Sequence, residues 1–139
     1  MDRATLEALF DQVARGERTP AEAADAASAW TTRDLGFATL DTGRASRLDH
    51  PEVIYGAGKS GDQIRQLVGA LAEAGQAALV TRLDAEKAAI VQAAWPAARW
   101  HPLAGVLHLA GPTPRPEVGL VAVVCAGTSD LPVAEEVAV

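Results

Sequence analysis

The chain has 139 residues and a mass of 14.4 kDa, room for one ordinary domain but not for two complete ones. Nominal hydrophobicity is 49%, yet 30 residues are alanine and aromatics make up only 4%, so a core must come from scattered Leu, Val, Ile and the three Trp. Twelve Lys and Arg against 18 Asp and Glu give −6, which argues against nonspecific nucleic-acid binding. The single cysteine, Cys125, excludes an intrachain disulfide.

No apolar run approaches the roughly 18 residues that a membrane span requires. The acidic start MDRATLEALFDQ lacks the basic-then-apolar order of a signal peptide. Both features set the expectation of a soluble, cytoplasmic protein.

Leu6, Leu9, Phe10 and Val13 recur at helical spacing and predict a helix over residues 4–15, ended by Gly16. Thr19-Pro20-Ala21-Glu22 predicts a second start: Thr as N-cap, Pro in the first turn, Glu closing a capping box. From Asp34 to Tyr55 the pattern changes to short apolar alternations broken by Gly36, Gly43 and Pro51.

PEVIYG (51–56) predicts a strand that enters the glycine turn GAGKSG. A helix follows over 60–75, with Ile64, Leu67, Val68 and Leu71 on one face and Gly75 as its stop. AALVTRL (77–83) reads as a strand, DAEKAAIVQAAW (84–95) as a helix, and ARWHPLAGVLHLAG (98–111) as a strand-like segment interrupted by Pro102. Strand–helix–strand–helix–strand at this spacing predicts a small α/β layer with parallel pairing.

GPTPRPEVG (111–119), with three prolines and two glycines, reads as a linker. LVAVVCAG (120–127) is a continuous apolar run of the kind buried inside a parallel sheet, followed by a turn and the start of a helix. One strand and a helix start cannot cover themselves, so the final twenty residues read as the opening of a second α/β domain.

Three constellations carry candidate chemistry. CAGTSDLPVAEE (125–136) joins a strand end, a glycine, small hydroxyls and a helix N-terminus, a geometry that favours phosphate or carboxylate; equally, Thr128, Ser129 and Asp130 can serve merely as caps. GAGKSGDQ (56–63) lacks the spacing of a Walker motif, so Lys59 is either a point charge for an anion or a solvated turn lysine.

Asp41, Arg44, Arg47, His50 and Glu52 form the third group. Its arginines can grip an oxyanion or fix the loop by internal ion pairs. His50, His101 and His108 follow no metal-ligand spacing; the last two read as structural histidines, Cys125 as a buried, inert thiol, and Trp30, Trp95 and Trp100 as core.

LGFATLDTGRASRLDHPEVIYGAGKSGDQI, then LVTRL, then VAVVCAGTSDLPVAEE, resemble the LarB family of nickel-pincer cofactor biosynthesis proteins (pyridinium-3,5-biscarboxylic acid mononucleotide synthases) over about residues 30–136. The last segment is also similar to the first phosphate-binding turn of the aminoimidazole ribonucleotide carboxylases, PurE. The resemblance implies an N-terminal α/β region followed by a PurE-like domain that oligomerises when complete.

It implies a carboxylase and hydrolase acting on nicotinic acid adenine dinucleotide with CO2 or bicarbonate, releasing AMP. Its nucleophile is a cysteine deep in the PurE-like domain, which no residue here matches. By position, Gly127, Thr128 and Ser129 match the substrate-binding turn, Asp130 its catalytic or ribose-binding carboxylate, and Arg44, Arg47 and Lys59 the N-terminal pattern, assigned to anion contact. Asp49 departs from the glycine expected there.

The expected architecture is α/β. Residues 1–110 form N-terminal helices and a three-layer-like region, 111–119 a linker, and 120–139 the first strand and helix start of an incomplete doubly wound domain. No cofactor is called for; Mg2+ beside a pyrophosphate is reasonable chemistry, but no ligand set demands it. Two other functions stay open: a non-catalytic substrate-binding or assembly module, and a carboxylase of purine synthesis.

Overall fold

Local capping decides where the first helices begin. The computed structural model describes residues 3–29, 32–44, 50–112 and 118–139, divided into two units, Met1–His50 and Pro51–Val139. In the first, α1 (Arg3–Ala14) turns its buried Leu9 inward. It is followed by α2 (Pro20–Ala29). Glu22 N–H donates to Thr19 Oγ1 at 3.2 Å and Thr19 N–H donates to Glu22 Oε2 at 2.8 Å: the expected capping box, formed.

That backbone bond from Thr19 holds the Glu22 carboxyl below its usual range. The helices pack together. A short antiparallel hairpin follows, β1 (Thr32–Asp34) with β2 (Thr39–Asp41), in register Arg33↔Leu40. Asp34 Oδ1 closes its turn by accepting Gly36 N–H at 2.8 Å.

The second unit holds the main sheet, ordered β3-β4-β6-β5: β3 (Val53–Tyr55), β4 (Ala78–Thr81), β5 (Arg99–His101) and β6 (Val106–Leu109). Helix α3 (Gly61–Glu73) joins β3 to β4, and α4 (Ala85–Ala94) joins β4 to β5. β3 and β4 are parallel as expected, but β4/β6 and β5/β6 are antiparallel, a correction to the all-parallel reading. The reason is connection length: four residues separate His101 from Val106, whereas a parallel crossover needs about a dozen.

Register sorts the sheet into two faces. Ile54↔Val80↔Leu107↔Trp100 form one row across all four strands, and the first three are buried. Against this apolar row stand the predicted face of α3 (Ile64, Leu67, Val68, Leu71) and Ala88 and Val91 of α4, all buried. The ring of Trp95 lies over α3 at Gly69, 3.4 Å from where a Cβ would stand. The result is the expected α/β architecture, helices and strands alternating along the chain.

The expected strand over 120–127 is absent: these residues form no ladder with any described residue, and Leu120 and Val124 are 96% and 89% exposed. β propensity alone does not make a strand; hydrogen-bonding partners do. Cys125 is consequently exposed rather than a core thiol. Helix α5 (Leu131–Ala138) does follow, with no buried residue. The two units meet between His50 and Pro51, and residues 113–117 of the linker segment and Trp30 lie outside the described residues.

Candidate functional site

The carboxyl ends of β3 and β4 meet at one edge of the sheet, where two helices also start. Gly56 N–H donates to Thr81 O at 2.8 Å. A Cβ on Gly56 would stand 2.8 Å from that same oxygen, so only glycine lets the strands close here. The chain turns, and Lys59 folds back so that its Nζ donates to Tyr55 O at 2.8 Å.

Ser60 then caps α3: its Oγ accepts Gln63 N–H at 3.2 Å, and Gln63 Oε1 accepts Ser60 N–H at 2.9 Å. On the neighbouring strand, Arg82 takes a left-handed φ of 54°, the only such non-glycine among the described residues. Asp84 caps α4 by accepting Lys87 N–H at 2.9 Å and pairs with Lys87 Nζ at 2.8 Å. The Lys87 side chain first, and its backbone N–H second, hold Asp84 below the usual carboxylate range.

Two helix N-termini at the carboxyl edge of a parallel strand pair are the usual setting for an anionic ligand. Arg82 carries the edge further. Its guanidinium grips Glu136 of α5 through Nη2–Oε2 at 2.8 Å and Nε–Oε1 at 3.1 Å, a bidentate pair with Glu136 partly exposed. The helix that begins just after residues 127–130 is thereby tied to the end of β4.

In that turn, Asp130 N–H donates to Gly127 O at 3.1 Å, and Val133 and Ala134 N–H donate to Asp130 O. The Asp130 side chain makes no cap bond. Thr128, Ser129 and Asp130 are exposed, and Asp130 borders a shallow apolar concavity with Val123, Val124, Cys125, Val133 and Val137. Asp130 therefore holds the N-cap position through its backbone carbonyl, not through its side chain. The helix start is also a weak anion seat: Pro132 has no N–H and Val133 N–H is already used, which leaves Leu131 as the first-turn donor.

Among the described residues, no three His, Cys, Asp or Glu side chains gather as a metal site would require. Arg44 is exposed, in the unit Met1–His50, and is not a free cation. Asp41 Oδ1 accepts Gly43 N–H at 3.0 Å and so fixes the turn before it. Arg47 and Asp49 lie outside the described residues. Lys59 and the 127–130 turn belong to one unit but share no hydrogen bond or ion pair with each other. Arg82 is the residue that sequence reasoning missed; its signal was a charged side chain between a strand end and an N-cap aspartate.

The family model for the LarB/PurE-like N-terminal domain matches residues 32–111. That span takes in β1 through β6, the glycine-lysine turn and Arg82, and stops before the 127–130 turn. No curated protein matches the chain.

Proposed function

The chain belongs to the LarB/PurE-like N-terminal domain family, and on that premise we propose that it serves a LarB-type carboxylation. In this reading CO2 or bicarbonate is added to the pyridinium ring of nicotinic acid adenine dinucleotide, and hydrolysis of the phosphoanhydride releases AMP, a step in making a nickel-pincer nucleotide cofactor. A pyridinium carbon is too electron-poor to attack CO2 until a nucleophile has added to the ring. Cys125 is exposed, and although Asp130 borders the same concavity, no hydrogen bond joins the two. The part assigned to this chain is to hold the dinucleotide.

The observation that carries the reading is the carboxyl edge: a close-approach glycine, two helix N-termini, and Lys59 and Arg82 on adjacent loops. Lys59 would exchange the Tyr55 carbonyl for a phosphate oxygen, and the first-turn N–H groups of α3 would add donors. Thr128, Ser129 and Asp130, with hydroxyls and carboxylate unengaged among the described residues, would meet the ribose end. Calorimetry with the dinucleotide tests this: Lys59→Ala should weaken binding about tenfold, the loss of one charge-assisted contact. Release of AMP by the purified chain would overturn the division of labour, and undiminished binding by Lys59→Ala would overturn the site.

A second reading is favoured by the exposed run 118–125 and by α5, whose Leu131, Val133 and Val137 are exposed. It makes the chain an assembly module whose apolar end seats against PurE-like subunits. Loss of oligomer mass on Val124→Asp, with dinucleotide affinity unchanged, would favour it. Carboxylation of aminoimidazole ribonucleotide stands behind both, because the family match lies ahead of the PurE-like turn. Preferential binding of the ribonucleotide over the dinucleotide would reverse that order.

A further inference from the structure

The face of the main sheet turned away from α3 and α4 carries a second feature that the carboxyl edge does not use. Its central row runs Val53↔Leu79↔His108↔Arg99 across β3, β4, β6 and β5. His101 stands two residues beyond Arg99 on the same face. Directly opposed residues lie about 5 Å apart and residues two apart on a strand about 7 Å, so Arg99, His101 and His108 surround one point.

These three groups hold no hydrogen bond or ion pair among the described residues. In a chain of net charge −6, an all-basic cluster without an acidic neighbour is an unmet electrostatic demand. Burial pushes His108 below the usual imidazole value, and the positive potential of His101 and Arg99 pushes it further. Around His108, β5 brings Arg99 and His101 and β4 brings apolar Leu79; no carboxylate contributes.

The other half of the row is apolar and accessible, with Val53 47% exposed and Leu79 half-buried. We infer that this face binds a small molecule made of an oxyanion and a flat apolar body, the oxyanion held by Arg99, His101 and His108 and the body laid along Leu79 and Val53. Arg99 supplies a planar fork suited to two oxygens, and each imidazole supplies an N–H. No residue of this site belongs to the dinucleotide site proposed above, so either can fail alone.

The test is an NMR titration of the imidazole resonances of the full chain with phenyl phosphate and with inorganic phosphate. Both His101 and His108 should shift saturably, and the His108 titration midpoint should rise as the bound anion relieves its positive surroundings. Phenyl phosphate should bind several-fold tighter than inorganic phosphate, and Val53→Ser should erase that preference alone, as expected for apolar contact. Arg99→Gln, at an exposed edge position that leaves the fold intact, should weaken both ligands about tenfold; His101→Gln should do the same from another strand position. Absent or unsaturable shifts, or shifts unchanged in both variants, would overturn the site, and equal affinity for the two ligands would overturn its apolar half.

Discussion

Replacing Gly56 with alanine tests whether the carboxyl edge is built by close backbone approach. The added methyl would stand 2.8 Å from Thr81 O, 3.3 Å from Leu83 Cδ1 and 3.4 Å from Arg82 O. The first distance is about 0.5 Å inside the roughly 3.3 Å at which carbon and carbonyl oxygen ordinarily meet. Both oxygens belong to the backbone, so relief must come from parting β3 and β4, which strains the Gly56 N–H···O Thr81 bond of 2.8 Å.

Overpacking of this kind costs about 1–3 kcal/mol, and the weakened hydrogen bond adds about 1 kcal/mol. Against this, alanine stiffens the unfolded chain, a gain of about 0.5–1 kcal/mol. The net expectation is about 2 kcal/mol of destabilisation. Gly58→Ala is the internal control, two residues on in the same turn. Gly58 has φ +77° and nothing within 4 Å, so its cost is conformational, about 1 kcal/mol or slightly more before the same gain.

Urea unfolding followed by tryptophan fluorescence measures both variants, since Trp95 and Trp100 lie in the affected unit. Gly56→Ala should lose about 1–2 kcal/mol more than Gly58→Ala. If the two variants unfold at the same urea concentration, or Gly56→Ala matches the parent, the close-approach argument is wrong.

Two further expectations follow from the same edge. Ser60→Ala removes half of the α3 capping box and should cost about 1 kcal/mol, read by the same unfolding curve, with Ser60→Asp retaining most of it. Arg82→Ala should release Glu136 at a cost of under about 1 kcal/mol, yet raise amide exchange in α5 while leaving α3 unchanged; unaltered exchange in α5 would show that the pair does not anchor it.

The acid limb of stability should come in two steps. His108 titrates below its usual value when folded, so stability declines as pH falls through the ordinary imidazole range, where the unfolded chain takes up its proton first. Asp84, held low by Lys87, adds a loss as pH falls through the ordinary carboxylate range, where the unfolded chain takes up its proton first, and on through its folded value. His108→Gln should remove the first step and Asp84→Asn should shrink the second, to which Glu22 and Asp62 also contribute, measured as melting temperature against pH.

What the sequence determined about this protein was local. Helix starts at Thr19, Ser60 and Asp84, and the buried stripe Ile64, Leu67, Val68 and Leu71, depend on groups three or four residues apart, so their spacing is their geometry. The strands over 51–56 and 77–83 were legible because glycine and capping residues bound them. The family signature was legible for the same reason: the glycine-lysine turn is a contiguous string.

Tertiary structure decided the rest, because hydrogen-bond ladders join residues that sequence leaves far apart. It placed β6 between β4 and β5, turning an interrupted strand into a hairpin. It joined Arg82 to Glu136 across 54 positions, a pairing that no local pattern announces. It gathered Arg99, His101 and His108 by register, where the sequence offered only scattered histidines. It also left 120–127 without a ladder, since an apolar β-branched run becomes a strand only when a neighbouring backbone meets its N–H and C=O groups.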